Sequence, residues 1–273
     1  MKNIFLPIFS IWYREILRFW RDRFKAIAFF VFPILWVIFF GSGLASAFIP
    51  KAALDFPGTF EYFDYLIPGI LGLTVGFTAI FSAITFVTDR EYGYLREILV
   101  SPSPRLTIIL GKVLGGATVA LAEGVLMSAA LIVIGLKLEI GIALMLIPIL
   151  ALLALTLSSL GVILATYIRS TEAFPVIIQV LFMPLLLLSG ALFPLKDSPF
   201  WMEAISFVNP ATYGIDALRS VSLANADLPS ALLERFSIVI NGYVVPFWLD
   251  LVILAAIFIV CLLLSAWRLS RTR

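Results

Sequence analysis

Glu123 is the isolated ionisable residue inside a long apolar stretch of this chain. It lies 11 residues beyond Lys112, about 16 Å along a helix that rises about 1.5 Å per residue. A carboxyl that deep in a bilayer is costly unless it faces protein, pairs or takes up a proton. Two roles suit it: a group lining a substrate path or gate, or one partner of an interhelical hydrogen bond. Gln179 is the most plausible polar neighbour on another apolar stretch. Other chemistry is scarce. Histidine is absent, which excludes histidine metal sites and histidine acid–base catalysis. The single cysteine, Cys261, sits in an apolar run, so no intramolecular disulfide forms. No Gly-x-Ser-x-Gly and no paired intramembrane aspartates occur, so an intramembrane hydrolase is not expected.

The charged residues outside the apolar stretches fall into patterns. Arg14, Arg18, Arg21 and Lys25 recur at i, i+4, i+7 and i+11, one face of a helix. Phe5, Ile8, Phe9, Trp12, Ile16, Phe19 and Trp20 fall on the other. A basic face opposite an aromatic one suits a helix at the membrane interface, over 1–26. It serves either to frame a partner's docking site or to anchor orientation. A second polar segment runs from Thr88 to Arg105. Thr88 and Glu91 have capping-box spacing, which predicts a new helix starting there. Pro102 and Pro104 stop it. A short helix over 89–101 exposes charge on one side and Leu95, Ile98 and Leu99 on another. It suits the groove of a soluble partner, or packs beneath its own bundle.

These residues must be positioned by membrane-spanning helices. Hydrophobic residues make up 62% of the 273 positions, charged residues 13%, and mean hydropathy is +1.10. Soluble domains carry roughly 25% charge. A span needs about 20 apolar residues. Six segments qualify: Ile27–Ile49, Leu66–Thr88, Leu106–Leu136, Ile140–Ile168, Ala173–Pro194 and Leu249–Trp267. The fourth holds Pro148; the fifth holds Pro184 and Gly190. Fourteen of the 19 Lys and Arg residues flank one side of this frame, so the positive-inside rule places both termini in the cytoplasm. An even span count agrees. No cleavable signal peptide is expected, since the first 25 residues carry six basic residues and no A-x-A site. The fold class is all-α integral membrane, one domain over 1–273, with a six-helix bundle at 27–268.

The segment 195–222 mixes aromatic and charged residues between Pro194, Pro199 and Pro210. It reads as short helices that dip into the outer leaflet and return. Asp216 and Arg219, spaced i, i+3, are placed to pair.

Glu91-x-Gly93-x-Leu95, then Leu99-x-Ser101-Pro102-x-x-Arg105 and Gly111-Lys112, resembles the segment after the second helix in ABC-2-type transporter permeases. Ser189-Gly190-x-x-Phe193-Pro194, followed by Asn209-Pro210-x-Thr212-Tyr213-x-x-Asp216-Ala217-Leu218-Arg219, is similar to their segment between the fifth and sixth helices. The flavour is that of the daunorubicin-resistance and NodJ-like branch. Arg96 and Tyr94 depart from it, where acidic or polar and small hydroxyl residues are more usual.

The resemblance implies a permease dimer, homodimeric or heterodimeric, bound to two ATP-binding subunits in the cell membrane. No nucleic-acid partner is implied. The helix at 89–101 becomes the coupling helix, with Glu91, Gly93, Leu95, Arg96, Leu99, Ser101, Pro102 and Arg105 at the ATPase contact. Phe193, Pro194, Asn209, Pro210, Tyr213, Asp216 and Arg219 shape the outer gate. ATP and Mg belong to the partner: Gly111-Lys112 lacks the preceding phosphate-loop glycine and the following Ser or Thr. The implied activity is export of an amphiphilic drug or lipid-like substrate by alternating access. A polysaccharide or lipid-linked oligosaccharide exporter is the alternative. A secondary transporter or channel is a further one, although such proteins usually carry more buried polar groups on their spans than Glu123 alone.

Overall fold

The computed structural model describes residues 5–22, 27, 31, 34–35, 62–100, 103–133, 138–195, 198–224, 236–240 and 243–271. Among these the backbone is helical nearly throughout. In chain order the helices are α1 Phe5–Arg21, α2 Tyr62–Ser82, α3 Ile84–Glu91, α4 Tyr94–Val100 and α5 Arg105–Val133. They continue as α6 Ile140–Tyr167, α7 Ala173–Leu187, α8 Phe200–Val208, α9 Pro210–Ser222 and α10 Phe247–Arg271. A two-residue antiparallel pair, β1 Val239–Ile240 and β2 Tyr243–Val244, sets Val239 against Val244 before α10.

Among the described residues, four stretches are long and apolar enough to cross a membrane: Tyr65–Glu91, Arg105–Val133, Ile140–Tyr167 and Phe247–Arg271. They match the second, third, fourth and sixth expected spans within a few residues. The fifth, Ala173–Pro194, is helical only to Leu187. Beyond it the chain turns through Gly190 at φ +72°. The first, Ile27–Ile49, lies almost wholly outside the described residues.

Between α2 and α3 the helical run passes through one tightened turn at Ala83. There the Ser82 hydroxyl donates to the Ala79 carbonyl at 2.7 Å, and Thr85 Oγ1 donates to the Ser82 carbonyl at 3.1 Å. The Ala83 and Phe86 amides bond three residues back, to Ile80 and Ala83. Side chains that bond backward to the main chain compete with the regular ladder there.

The core lies where α2, α5 and α6 meet, around Leu71, Val75, Ile108, Ile109, Leu150 and Leu153. Helix α9 is enclosed by α2, α6 and α10, and α1 runs along α5. Outward faces are apolar too: Val176, Val180 and Met183 on α7, and Val252, Ile259 and Leu263 on α10, are exposed. Helices apolar on every side belong in lipid or inside a larger assembly.

Segment 195–222 differs from a pair of surface helices. Phe200, Trp201 and Val208 keep α8 exposed, but α9 is buried from Pro210 to Arg219. Asn209 starts it: its side-chain oxygen accepts the Ala211 amide at 3.0 Å, and Pro210 fills the first turn. That cap-and-proline start is favourable because the first turn has amides without intrahelical partners.

Candidate functional site

Two polar clusters sit at the two ends of the α2–α3 rod. The first joins α1, α3 and α5. Lys112, with its side chain 2% exposed, places Nζ 2.6 Å from Glu15 Oε1 and 2.5 Å from Asp89 Oδ2. Arg18 Nη1 reaches Asp89 Oδ1 at 3.2 Å, and Arg14 bonds both Asp89 and Glu15. Burial opposes ionisation of Glu15, but the Lys112 ammonium, the Thr85 hydroxyl and Arg14 outweigh it, holding the carboxyl below its ordinary value. Three cations thus surround two carboxylates, the arrangement a buried charge requires.

Helix α1 reaches this position because α5 offers glycine beneath it. A Cβ at Gly111 would stand 2.7 Å from Ile11 Cβ; one at Gly115 would stand 2.6 Å from Glu15 Cβ. The i, i+4 glycines let two helices approach closely, as small-residue pairs do in membranes. Trp12 Nε1 closes the contact by donating to Thr118 Oγ1 at 3.0 Å. The basic face is therefore divided. Arg14 and Arg18 turn to Asp89, Arg21 is exposed, and Lys25 lies outside the described residues. The aromatic face, with Phe5, Phe9 and Trp20, is exposed.

Asp89, Arg90 and Glu91 clamp three different parts of the molecule. Asp89 holds α1 and α5. Arg90 Nη1 donates to the Thr166 carbonyl at 3.0 Å and the Ile168 carbonyl at 3.3 Å, at the end of α6. Its guanidinium also lies 5.3 Å from the Phe86 ring centroid. Glu91 accepts the Thr171 amide at 2.8 Å, beside the start of α7. The expected Thr88–Glu91 capping box does not form. Thr88 lies inside α3 and donates to the Ile84 carbonyl at 2.9 Å, while Glu91 is engaged elsewhere.

The short helix instead begins at Tyr94, after Gly93 at φ +85°. Its apolar side turns inward: Leu95 is buried, and Ile98 and Leu99 pack against the core. Tyr94, Arg96, Glu97 and Val100 face outward. Arg105 Nη1 donates to the Leu99 carbonyl at 3.1 Å, satisfying the end of this helix. Ser101 and Pro102 lie outside the described residues.

The second cluster is built on Tyr65, Gly190 and Arg219. Arg219 Nη2 donates to the Gly190 carbonyl at 2.8 Å and Nη1 to the Phe236 carbonyl at 3.2 Å. Its guanidinium stacks 3.9 Å from the Tyr65 centroid, and Tyr65 Oη also donates to the Gly190 carbonyl, at 2.6 Å. Asp216 accepts the Ile238 amide at 3.4 Å. The expected Asp216–Arg219 ion pair is absent, because carbonyls and a ring take the guanidinium instead. Tyr213 Oη donates to the Phe207 carbonyl at 2.6 Å, and Asn209 Nδ2 to the Leu185 carbonyl at 2.6 Å. Phe193 and Pro194 are half-buried in the loop after Gly190. Asp250, fully buried at the start of α10, has no hydrogen-bond partner on either oxygen among the described residues.

Glu123 lies between the clusters, 3% exposed, and accepts a hydrogen bond from Thr78 Oγ1. Gln179 is not its partner: it sits exposed on α7.

Glu15, Asp89, Tyr65, Thr78 and Asp250 were not marked by sequence patterns. For Glu15 a signal existed: it is the one acid on the face of α1 that meets the Gly111–Gly115 pair.

Comparison with known proteins gives this arrangement a family. The chain is 27% identical over 254 residues to "Inner membrane transport permease YadH" of Escherichia coli (strain K12), covering 91% of this chain and 94% of that one. It is 29% identical over 189 residues to "Putative transport permease ycf38" of Cyanophora paradoxa, covering 68% and 64%. It is 25% identical over 180 residues to "Probable multidrug ABC transporter permease YbhR" of Escherichia coli (strain K12), covering 62% and 46%. The chain thus spans less than two thirds of the Cyanophora paradoxa ycf38 relative and of YbhR, and nearly all of YadH. A family model described as ABC-2 type transporter matches residues 7–223, from α1 through α9, and the chain belongs to that family.

Proposed function

We propose that this chain is the membrane subunit of an ATP-driven exporter, moving an amphiphilic drug or lipid-like substrate out of the cytoplasm or inner leaflet. One observation carries the reading: Asp89, Arg90 and Glu91, immediately before the exposed α4, grip α1 with α5, the end of α6 and the start of α7. A push delivered to α4 is therefore delivered to most of the bundle. An effector changes a conformational equilibrium only through contacts that differ between the two states. The Asp89–Glu91 clamp supplies candidates for such contacts.

The ATP-binding subunit, in two copies with their ATP and Mg, meets Tyr94, Arg96, Glu97 and Val100 on α4. Two permease copies form the pathway. Six spans with both termini cytoplasmic is the topology, made of the four long helices, α7 with the turn at Gly190, and the apolar segment 27–49. The cell membrane is the location, in keeping with the name of the YadH relative. The drug-type substrate draws on the name of the YbhR relative and on motifs resembling the daunorubicin-resistance and NodJ-like branch.

The test is co-purification of the chain with an ABC-type ATPase, followed by reconstitution. ATPase activity should rise with amphiphilic drugs or lipids and not with glycans. Glu97→Lys with Val100→Asp should uncouple it without unfolding the permease. Transport that persists with no ATPase present overturns the reading.

A further inference from the structure

Three arginines gather at the end of α6. Arg90 Nη1, on the Thr166 and Ile168 carbonyls, stands beside Arg169, the next residue of the chain. The Arg268 guanidinium, from the last turn of α10, lies 4.8 Å from the Tyr167 ring centroid. Residues 166–169 are thus met by one guanidinium from α3 and one from α10, and they carry a third. Arg169 and Arg268 are the charged groups whose fields reach Arg90, and both repel it. Arg90 Nη2 is buried without a hydrogen-bond partner among the described residues. Arg169 is exposed, and none of the ion pairs among the described residues includes it. The nearby acids do not answer this charge. Glu91 is turned to the Thr171 amide. Glu172 is exposed and takes part in none of those ion pairs. Like charges gathered at a partly buried place repel one another, and a bound anion removes that repulsion.

The surface leading up to the arginines is apolar. Val260, Leu263, Leu264 and Trp267 are exposed on α10. They recur at i, i+3, i+4 and i+7, so they share one helix face. Arg271 stacks 4.1 Å from the Trp267 centroid, and Tyr167 is exposed beside Arg268. Tyrosine and tryptophan at the ends of spans mark the headgroup level of a bilayer. An acidic soluble protein answers the arginines but leaves the apolar face uncovered; a phospholipid answers both. We infer that Arg169 and Arg268, backed by Arg90, hold the phosphate of an anionic phospholipid whose acyl chains lie along Val260, Leu263 and Leu264. Basic pockets between membrane helices receive anionic headgroups in this way. A free phosphate shares the headgroup chemistry but not the chains. That this end faces the inner leaflet rests on the topology proposed above; that it binds the lipid does not.

The experiment uses the full chain, without any ATP-binding subunit, in detergent micelles. Phosphatidylglycerol or phosphatidylcholine is titrated in, and native mass spectrometry gives the Kd of the first bound lipid. The two lipids share a phosphate, but phosphatidylcholine also carries a cation that cancels its charge. Phosphatidylglycerol should bind more tightly by about fivefold for each of Arg169 and Arg268, about 25-fold in all. Arg169→Gln should lose about fivefold in phosphatidylglycerol affinity and nothing for phosphatidylcholine. Its unfolding temperature in lipid-free micelles should match the parent, because Arg169 has no ion pair to lose. Arg268→Gln should lose a similar factor. Arg96→Gln, which removes the same charge from α4, should bind as the parent does. Glycerol 3-phosphate, a headgroup phosphate with no acyl chain, distinguishes the sources. Lipid retained against millimolar glycerol 3-phosphate supports the phospholipid site; lipid displaced by it assigns the arginines to a soluble phosphate and overturns the inference. Equal affinity for the two lipids, parent-like binding in both Arg169→Gln and Arg268→Gln, or an equal loss in Arg96→Gln overturns it as well.

Discussion

Lys112 Nζ stands 2.5 Å from Asp89 Oδ2, joining the start of α5 to the last turn of α3 inside the protein. Glu15 from α1 holds the same ammonium from its other side, at 2.6 Å. One lysine thus ties together three helices that are far apart in the chain. Its position also decides what its loss does. Removing one member of a buried ion pair leaves its partner charged and unpaired, at a cost of about 3–5 kcal/mol.

Lys112→Met should accordingly lower the thermal unfolding temperature of the purified permease sharply. Glu15→Gln should cost less, because Lys112 keeps its ion pair with Asp89 and is not left unpaired. The double variant should fall short of the sum, since both changes disrupt one network. Additive losses would show that the lysine and the glutamate act separately.

Glu15 also sets a pH dependence. Its carboxyl titrates below the ordinary value of 4.5 in the folded protein. A carboxylate with a depressed folded-state value stabilises above its unfolded value and loses that contribution as pH falls through the folded one. The contribution of Glu15 to the unfolding temperature should therefore stay level from neutral pH to about 5 and fall below that. In Glu15→Gln this component of the acid fall should disappear, leaving a shallower curve. Equal acid sensitivity in both proteins would assign the fall to other carboxylates.

Much of this architecture was legible because apolar length is a strong signal. Residues 65–91, 105–133, 140–167 and 247–271 stand out by hydropathy alone, and the depth of Glu123 follows from counting. The contacts were not legible. Glu15, Asp89 and Lys112 are 74, 97 and 23 positions apart in their pairings, and each reads separately as an ordinary flanking charge. Thr88 has the right spacing for a cap, but its hydroxyl turns back to Ile84 because α3 has not ended there. Arg219 has the right spacing to pair with Asp216, yet Gly190 and Phe236 present carbonyls that take its N–H groups. Local spacing shows which contacts a helix permits; tertiary neighbours decide which one forms.

Asp250 offers the opposite case to Lys112. Both its oxygens are buried without a hydrogen-bond partner among the described residues. Burying a polar group that is left unsatisfied costs roughly 1–3 kcal/mol. Asp250→Asn should leave stability unchanged, and Asp250→Leu should raise the unfolding temperature. If transport is lost while stability rises, the carboxyl is held there for function. A large destabilisation by Asp250→Leu would instead require a partner to the carboxyl.

The glycine pair under α1 predicts a graded series. A Cβ at Gly115 would fall 2.6 Å from Glu15 Cβ, so α1 must move outward to admit it. Overpacking of this kind costs about 1–3 kcal/mol. Gly115→Ala should destabilise moderately and Gly115→Val more. Displacement of α1 should also break the Trp12–Thr118 hydrogen bond and shift tryptophan emission. Unchanged emission with lowered stability would place the strain elsewhere.

Gly93 separates backbone demand from packing. Its φ of +85° lies in the left-handed region, yet nothing stands within 4 Å of where a Cβ would sit. A substitution there meets only conformational cost, about 1–2 kcal/mol for a residue with a β-carbon. Asn tolerates this region better than Ala because its side chain bonds locally. The turn matters because it aims α4 away from the Asp89–Glu91 clamp. Gly93→Ala should therefore reduce substrate-stimulated ATPase activity of the assembled complex while Gly93→Asn retains most of it. Both should lower bundle stability by no more than that conformational cost, since nothing crowds a β-carbon at this position. If Ala and Asn reduce activity equally, side-chain bulk at the partner surface, rather than backbone geometry, is what this position controls.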